Sequence, residues 1–532
     1  MAARCPAPRA RPGEATGLIK LLLSIPLVLA ALVAAGAGQA QPPGQNADPG
    51  YRIIGAGVTG ASQLQPAAGR DSRLALESSD AQLVRAFDWA KRQARAYARE
   101  GDPVGAWYEG SEPGRESFCM RDISHQVMGG HALGLVRHNR NMLHRFAENI
   151  SESRDWCSYW EMTRMNKPLR VDYENDAQFW YCLPANFDVL AACYRMYLWS
   201  GDPAYIEDPV FLNFYHRTVV DYVRRWALGL DQVMQRPRLL NVRGIFDPND
   251  KFQPNRGIPG YDEQTKGYVL SAEVLATQYA AYLAYAYIQE MRGDLELAQG
   301  YRQKAADVRG LVNTAWWNAK ENCFYARVDQ DHKMDGRGAD ALLYHGLVDD
   351  GPKLAAALKD SARGRNNAEI LYKYGEADEA YSRMMDAAFS PGSRREYPET
   401  SYSWVGALVN GTMGINVEVP APRQAWTEGY WVDKVVRTLS GLGTKIEWAE
   451  IRGLPVGANE ITVRHDGTGK TRMVNDQGPA FIWQATFAGS HETLLVDGHA
   501  MKALVEKSYA GRTVSSVRVT LGAGGAVTVG VP

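Results

Sequence analysis

Residues 267–315 read GYVLSAEVLATQYAAYLAYAYIQEMRGDLELAQGYRQKAADVRGLVNTA, and this stretch decides the fold class. Apolar residues recur at helical spacing before Arg292 and again after Asp294. Gly293 stands where a left-handed C-cap is needed, and Asp294 stands where the next helix begins. The stretch therefore predicts two antiparallel helices joined by a short turn.

The same pattern of a glycine at the end of a helical run recurs at Gly201 and Gly351. The first of these runs is expected at 177–200, with Asp176 as its N-cap, and the last helix of the region is expected at 428–440. Long aromatic-rich connections alternate with the short turns, at 104–121, 150–176, 236–266 and 316–337. This alternation predicts a ring of about six helical hairpins, with the long loops gathered at one end.

The residues after 441 follow a different pattern. Gly-rich turns separate short alternating runs at 444–448, 459–465, 480–487 and 514–521. The predicted fold class is therefore mainly α. A helical catalytic domain is expected over 79–440, and a C-terminal β-sandwich domain over 441–532.

The N-terminus has the order of features that is typical of a signal peptide. Basic residues precede an apolar run from Leu21 to Ala35, and small residues follow. We expect 1–40 to be a cleaved signal peptide, with an uncleaved anchor as the alternative. Residues 41–78 would form a Pro/Gly-rich linker and a short N-terminal segment. The mature protein would then be periplasmic or extracellular and have no membrane span.

Composition excludes some classes of partner. The net charge of −1 provides no basic field for a phosphate backbone, so no nucleic-acid partner is expected. The cysteines form no CxxC pair, and the histidines lack the spacing of a metal site. No metal and no cofactor are therefore predicted.

Aromatic side chains indicate a carbohydrate partner. The chain has 14 Trp and 27 Tyr against 13 Phe, and many of them fall in the long loops. An aromatic face can stack on the apolar face of a pyranose while charged groups bind its hydroxyls. Simple packing of loops onto the ring is the alternative. The candidate substrate-binding residues are Trp107, Arg121, His125, Trp180, Tyr261, Glu396 and Trp404.

Acidic residues cluster at the predicted helix starts. Cleavage of a glycosidic bond needs one carboxylic acid to protonate the leaving oxygen and one carboxylate to activate water or attack carbon. Asp122, Asp262 and Glu263 are the candidate acids, and each has the alternative of being only a helix cap or dipole partner. Glu399 is the favoured base, and Glu396 is its competitor.

Several segments of the helical region resemble a known superfamily. They are 118–129 (FCMRDISHQVMG), 176–202, 261–293, 316–325 and the EYP element at 396–398 with YSW at 402–404. They are similar to segments of the six-hairpin glycosidases, which include trehalases, glucoamylases, processing α-glucosidases and α-rhamnosidases. The resemblance implies an (α/α)6 barrel over roughly 80–440, a pocket at the loop end, inversion of configuration and no cofactor.

This chain also departs from the family patterns. PGYD at 259–262 replaces the trehalase signature Ser-Gly-Trp-Asp, and the acid motif of rhamnosidases is missing. The resemblance therefore does not identify the sugar on which this chain acts. The leading hypothesis is an exo-acting, inverting glycoside hydrolase that acts on an oligosaccharide or glycoside. A polysaccharide lyase acting on a uronate-containing glycan and a non-catalytic glycan-binding protein remain alternatives.

Overall fold

A computed structural model describes residues 51–54, 73–110, 112–237, 258–261, 267–361, 368–419, 434–507 and 511–532. The predicted signal peptide, most of the linker and the candidate acids Asp262 and Glu263 lie outside these ranges. Within them, no helix has both the length and the apolar character that crossing a membrane requires.

Helices dominate the first four fifths of the described chain. They are α1 (Ala81–Ala96), α2 (Met120–Ala132), α3 (Val136–Glu148), α4 (Pro184–Ser200), α5 (Ala204–Glu207), α6 (Pro209–Arg217), α7 (Val223–Arg225), α8 (Ala272–Met291), α9 (Leu295–Thr314), α10 (Asp340–Tyr344), α11 (Pro352–Ser361), α12 (Ala368–Tyr374), α13 (Ala377–Phe389) and α14 (Pro398–Ala407). A wider, π-type turn continues α14 over 408–412.

The hairpin predicted over 267–315 is present. Ser271 caps α8, Gly293 has a φ of +86°, and the Asp294 side chain caps α9 by accepting from the Leu297 amide at 3.0 Å. The two helices differ in burial because α8 is buried around most of its circumference, whereas α9 buries one face. Thus α8 is an inner helix and α9 covers it from outside.

Among the described residues, the inner helices contact one another in a closed cycle. The order is α2, α4, α8, α10, α12 and α14. The π-type continuation of α14 contacts α12, and α14 itself contacts α2, which closes the cycle. Helices α3, α9, α11 and α13 pack against members of this cycle, and α1 packs against α13 and α14. The helical body is therefore a ring with an inner and an outer layer.

The seam between α2 and α14 is the closest approach in this ring. A Cβ atom at Gly129 would lie 2.0 Å from the carbonyl oxygen of Tyr402, which is far inside van der Waals contact. On the facing helix, Gly406 lies opposite Met128 and the backbone of Gly129. Only a hydrogen atom fits at Gly129, so this residue fixes how close the two helices lie.

Strands form a larger part of the fold than the sequence indicates. They are β1 (Tyr51–Ile54), β2 (Ala75–Ser78), β3 (Ala98–Asp102), β4 (Gly105–Tyr108), β5 (Ser117–Cys119), β6 (Glu161–Thr163), β7 (Tyr173–Asn175), β8 (Gln178–Phe179), β9 (Tyr268–Ser271), β10 (Trp317–Asn318), β11 (Cys323–Asp329), β12 (Met334–Arg337), β13 (Ile415–Glu418), β14 (Val435–Leu439), β15 (Trp448–Val456), β16 (Asn459–Asp466), β17 (Lys470–Gln477), β18 (Phe481–Ala488), β19 (Thr493–Val496), β20 (His499–Lys502), β21 (Leu504–Lys507), β22 (Thr513–Leu521) and β23 (Ala526–Gly530).

Two large sheets follow the ring. One has the order β1-β22-β18-β14-β13, with β21 also paired to β22, and the other has the order β2-β15-β16-β17-β23-β19-β20. The sheets therefore include strands from before residue 441: β1, β2, β13 and β14. The helix predicted at 428–440 is wrong from Val435 onward, because Val435–Leu439 is strand β14, in which 436–439 pair in parallel with 483–486 of β18.

The predicted N-cap at Asp176 is also wrong. The helix begins at Pro184, and the Asp176 carboxylate instead accepts hydrogen bonds from Tyr173 (2.6 Å) and Arg154 (2.7 Å) in the loop before it. Cys182 and Leu183 are fully buried next to Ile258, so tertiary packing holds them outside the helix, which begins after them.

Candidate active site

Asp122 lies in the first turn of the inner helix α2, directly after the short strand β5. Its side chain is buried, and the Nε atom of Arg121 lies 3.5 Å from its Oδ1 atom. Burial raises the pKa of Asp122 to about 7, the neighbouring charge of Glu399 adds to the rise, and Arg121 opposes it. Asp122 therefore keeps its proton close to neutral pH and can donate it.

Glu399 occupies the matching first turn of α14, which begins at Pro398. The side chain is half-buried, and Nη1 of Arg394 lies 3.3 Å from its Oε2 atom. Its effect on Asp122 shows that the two carboxyl groups are electrostatic neighbours. The close seam between α2 and α14 brings them together although they are far apart in the chain.

Arg121 is held between two aromatic rings. Its guanidinium carbon lies 5.5 Å from the centroid of Trp160 and 5.8 Å from that of Tyr261, within cation–π range. Its Nη1 atom donates to the carbonyl oxygen of Tyr261 at 3.3 Å. These contacts keep a positive charge beside Asp122 and anchor the end of the loop that precedes α8.

Asp188, in the second turn of α4, is a second buried carboxyl group. The hydroxyl oxygen of Tyr261 lies 2.8 Å from Oδ1 and 2.7 Å from Oδ2 of this residue. Burial raises the pKa of Asp188 to about 7, and the Tyr261 hydrogen bond, Arg121 and Arg195 oppose the rise. Asp188 was missed from the sequence because a single acid inside an apolar helix carries no local motif.

His125 lies one turn after Arg121 and is half-buried. Its ring meets Tyr261 edge-on at 6.4 Å and Tyr344 at 5.9 Å between centroids. Burial lowers the pKa of His125 to about 4, and the charges of Arg195 and Arg121 lower it further. The imidazole is therefore neutral and can serve a substrate as a hydrogen-bond partner.

We call the residues just described around Asp122 the upper cluster; they are Arg121, Asp122, Asp188, Tyr261 and Glu399. Arg195 stands two helical turns further along α4 than Asp188, about 10 Å along the helix axis. Around it lies a second group, the lower cluster, which consists of Arg195, Tyr344, His345, Glu369 and Lys373.

Tyr344 is the centre of the lower cluster. Nη2 of Arg195 donates to its hydroxyl oxygen at 3.2 Å, and Nζ of Lys373 donates to its backbone carbonyl at 2.6 Å. Glu369 shares a side-chain hydrogen bond with the Tyr344 hydroxyl. Burial raises the pKa of Tyr344 to about 12, so the phenol stays neutral. Polar and charged side chains of α4, α10 and α12 are therefore linked around Tyr344.

The sequence contains one signal for the missed residues. Asp188 and Arg195 are seven residues apart on α4, so they share one helix face. That face is polar in an otherwise apolar helix, which is unusual for a helix buried on all sides.

Three of the predicted aromatic residues lie in the core. Trp107 is 3% exposed and donates to Oδ2 of Asp102 at 2.8 Å. Trp180 is 2% exposed and packs edge-on against Trp160. Trp404 is 3% exposed and donates to the carbonyl oxygen of Met384 on the outer helix α13 at 3.0 Å. Their contacts are those of packing residues.

Glu396 lies outside the ring interior. It is exposed, and its Oε1 atom accepts from Nη1 of the adjacent Arg395 at 2.7 Å. Asp262 and Glu263 fall outside the described residues, directly after Tyr261. The structure thus brings together Arg121, Asp122, His125, Tyr261 and Glu399 from the predicted set. In the described ranges, no three His, Cys, Asp or Glu side chains are grouped so that they could hold a metal ion.

Two α-L-rhamnosidases have a fold similar to that of this chain. The structure from Dictyoglumus thermophilum aligns with a TM-score of 0.51 and 12% identity over 86% of this chain and 50% of its own. The structure from Aspergillus terreus aligns with a TM-score of 0.50 and 12% identity over 86% of this chain and 51% of its own. A rhamnosidase of Bacillus sp. GL1 gives a TM-score of 0.47 and 13% identity over 75% of this chain and 40% of its own.

This chain therefore spans about half the length of the two rhamnosidases from Dictyoglumus and Aspergillus. No family model and no curated protein matches its sequence. The resemblance to six-hairpin glycosidases that the sequence indicates is confirmed at the level of the fold. At these identities, the activity has to be argued from the site itself.

Proposed function

We propose that this protein is an exported glycoside hydrolase whose helical ring is an (α/α)6 barrel followed by a β-sandwich domain. The observation that carries the proposal is the pair formed by Asp122 and Glu399 on adjacent inner helices. One carboxyl group is buried with a pKa near 7, and the other is half-buried beside it. Paired carboxyl groups with different environments are what glycoside hydrolysis requires.

In this mechanism Asp122 is the general acid. Its proton passes to the glycosidic oxygen as the bond to the anomeric carbon breaks, and the resulting carboxylate is stabilised by Arg121. Glu399 is the general base, which takes a proton from the water that attacks the opposite face of the sugar. This division of roles gives inversion of configuration.

Exo action is part of the proposal. The lower cluster adds charged and aromatic side chains about 10 Å further along the axis of α4 than Asp188. A terminal sugar can be held there, while the rest of the substrate extends towards the loops. His125 lies between Tyr261 of the upper cluster and Tyr344 of the lower cluster and is suited to bind its hydroxyl groups.

The test compares wild type with Asp122→Asn and Glu399→Gln on a panel of oligosaccharides and aryl glycosides. Loss of a general acid costs about 10²–10⁴-fold on natural leaving groups and much less on activated dinitrophenyl leaving groups, which need no protonation. Loss of a base costs a similar factor on both. NMR of the first-formed anomer reports the stereochemistry.

Glu396→Gln is the matched control, because Glu396 is exposed and pairs with Arg395 away from Asp122. It should retain wild-type rates. Wild-type turnover of a natural substrate by Asp122→Asn, with an unchanged folded state, would refute the assignment of the acid.

Elimination by a lyase is less well supported. A lyase needs a basic Tyr or His, but the Tyr261 hydroxyl is bound to Asp188 and its pKa is raised by burial and by that carboxylate. A product that absorbs in the unsaturated-uronate band would favour elimination over hydrolysis.

A further inference from the structure

Asp188 is a buried acid that helix α4 does not itself require. It lies in the second turn of a mostly apolar helix, beyond the first turn in which a carboxylate interacts with the helix N-terminus. Burying a carboxyl group costs free energy unless hydrogen bonds offset that cost. The side chain of Asp188 therefore has its role in what it binds, and not in forming α4.

The hydrogen-bond partner of Asp188 is the hydroxyl group of Tyr261, which lies 2.8 Å from Oδ1 and 2.7 Å from Oδ2. Tyr261 belongs to the segment 258–261, in which the Ile258 amide donates to the Tyr181 carbonyl at 2.9 Å. A hydrogen bond from a hydroxyl group to a carboxylate is stronger than one between neutral groups. Asp188 therefore fixes the side chain of Tyr261 against α4.

Arg121 is held by Tyr261 on one side and by Trp160 on the other. Its Nη1 atom donates to the Tyr261 carbonyl at 3.3 Å, and its guanidinium carbon lies 5.8 Å from the centre of the Tyr261 ring and 5.5 Å from that of Trp160. Trp160 is fixed by the core, since it is 7% exposed and meets Trp180 edge-on at 4.6 Å. The side chain of Tyr261 is instead fixed by Asp188, so one of the two supports of Arg121 depends on that acid.

The same guanidinium acts on the proposed general acid. The Nε atom of Arg121 lies 3.5 Å from Oδ1 of Asp122, and its positive charge opposes the rise in the pKa of that carboxyl group. After Asp122 has given up its proton, Arg121 stabilises the carboxylate that remains. The placement of Arg121 therefore influences how readily Asp122 donates.

Several described groups act on the two carboxyl groups by charge or by hydrogen bonding. Those that act on Asp122 are Glu399, Arg121, Cys119 and Glu161. Those that act on Asp188 are Tyr261, Arg121 and Arg195. His125, whose ring meets Tyr261 edge-on, is neutral because burial lowers its pKa to about 4. Arg121 is common to both sets, so a change at Asp188 can reach Asp122 through it.

We propose that Asp188 is a positioning residue of the hydrolytic site, which acts through the hydroxyl group of Tyr261 to hold Arg121 beside Asp122. This proposal rests on the proposed function, because it explains how the acid of the same site is kept ready to donate. Asp188 itself neither gives a proton to the substrate nor takes one from it. Loss of its hydrogen bond loosens Arg121, so Asp122 loses part of its counter-charge and its pKa rises.

The first experiment compares wild type with Asp188→Leu and Asp188→Asn. Leucine is similar in size but accepts no hydrogen bond, whereas asparagine keeps a neutral acceptor for Tyr261. Infrared spectroscopy titrates the carboxyl band of Asp122, which is identified by its absence from Asp122→Asn. We expect Asp188→Leu to raise the pKa of Asp122 by about half a unit or more, and Asp188→Asn to raise it less. An unchanged or lowered pKa of Asp122 in Asp188→Leu would overturn the proposal.

The second experiment measures the pH profile of hydrolysis. In Asp188→Leu the alkaline limb of kcat/KM should move to higher pH together with the pKa of Asp122, and the maximum should fall about five-fold on natural leaving groups. Dinitrophenyl leaving groups, which need no protonation, should be affected less. An equal loss on both kinds of leaving group with an unshifted alkaline limb would overturn the proposal, because general damage to the site has that effect.

Other variants address the same hydrogen bond from its second partner. Tyr261→Phe removes the bond and takes the place of Asp188→Leu if that variant does not fold. The double variant should lose no more activity than the more impaired single variant, and additive losses would overturn the proposal. Tyr381→Phe breaks an equivalent bond to Asp80, 2.6 Å long, on the outer helix α13 and should leave the pKa of Asp122 unchanged.

The infrared titration needs no turnover, so this proposal and the proposed function can fail separately. A raised pKa of Asp122 in Asp188→Leu, with no hydrolysis of any substrate by wild type, would support the positioning role and contradict the hydrolase. Hydrolysis by wild type, with the same pKa of Asp122 in wild type, Asp188→Leu and Tyr261→Phe, would overturn the positioning role and leave the hydrolase standing.

Discussion

The upper and lower clusters occupy the same ring, yet burial acts on them with opposite results. Around Asp122 the buried groups are carboxyls, and burial raises their pKa so that one proton is retained near neutral pH. Around Arg195 the cations Arg195 and Lys373 lie with the carboxyl group of Glu369, and burial lowers the pKa of Lys373 to about 8. Low dielectric thus favours a protonated carboxyl group in one place and makes it easier for an amine to lose its proton two helical turns away.

The largest effect should come from breaking the seam that assembles the upper cluster. In Gly129→Ala the new methyl group would overlap the Tyr402 carbonyl, so α2 and α14 must separate. We expect a loss of about 3 kcal/mol or more in the free energy of unfolding, measured by urea denaturation.

Gly300→Ala is the matched control, because Gly300 is exposed on the outer helix α9 and nothing lies within 4 Å of a Cβ atom there. That variant should be unchanged or more stable by about 0.5–1 kcal/mol, since Ala favours helix. Equal stability of both variants would mean that the seam is wider than described.

The second effect concerns the pH dependence of stability. The folded pKa of Asp122 is about 7, above its ordinary value of 3.8, so its protonation stabilises the fold below pH 4 and this contribution is lost as the pH rises through 7. Asp122→Asn removes the dependence, so its stability relative to wild type should rise steadily between pH 4 and pH 7 and then level off.

Chemical unfolding of the two proteins at a series of pH values measures this difference. Asp176→Asn provides the opposite sign below about pH 4, since hydrogen bonds and Arg154 lower the pKa of that carboxylate and its stabilisation of the fold is lost as the pH falls. A constant difference between Asp122→Asn and wild type across this range would show that Asp122 ionises normally.

A smaller effect should follow removal of the Tyr261 hydroxyl. Tyr261→Phe leaves Asp188 without the bond that lowers its pKa, so that pKa should rise further. Loss of a hydrogen bond of about 1 kcal/mol should reduce kcat/KM about five-fold. Tyr381→Phe is the control, because Tyr381 donates to Asp80 at 2.6 Å away from both clusters. If the infrared band of the Asp188 carboxyl group stays unchanged in Tyr261→Phe, the hydrogen bond between Tyr261 and Asp188 is contradicted.

The smallest effect tests the lower cluster by spectroscopy. Lys373 contributes to the lowered pKa of His345, so Lys373→Met should raise that pKa by less than about one unit, since burial remains the main cause. Histidine NMR titration measures the change. Lys353→Met on the outer helix α11 should leave it unaltered, and a His345 pKa that falls in Lys373→Met would contradict the charge distribution.

The helical hairpins were predictable because their signals are local. Gly293 and Asp294 fix a turn through their own backbone preferences. The difference in burial between α8 and α9 follows from the spacing of their apolar residues. The strand Val435–Leu439 was not predictable in the same way, since it exists only through pairing with β18 and β13. Pairing partners distant in the chain leave no short-range pattern.

The candidate site likewise contains residues that local sequence predicts and residues that only the folded ring brings together. Arg121 and Asp122 lie at a helix start, and His125 follows them at i+4 and i+3, so spacing alone suggested these residues. Glu369 and Tyr344 depend on the closure of the ring, which brings their side chains on α12 and α10 within reach of Arg195 on α4. The tryptophans misled for a physical reason, because a loop Trp that packs inward and one that meets a ligand look alike in sequence.

The pairing of β2 with β15 has a consequence for biosynthesis. The backbone carbonyl of Trp448 accepts from the amide of Ser79 at 3.0 Å, and the register between Ala75–Ser78 and Ala449–Arg452 joins the start of the helical ring to a strand made some 370 residues later. The ribosome therefore synthesises most of the ring before β15 exists for β2 to pair with. We expect a chain truncated before β15 to leave β2 unpaired and the start of the ring less stable.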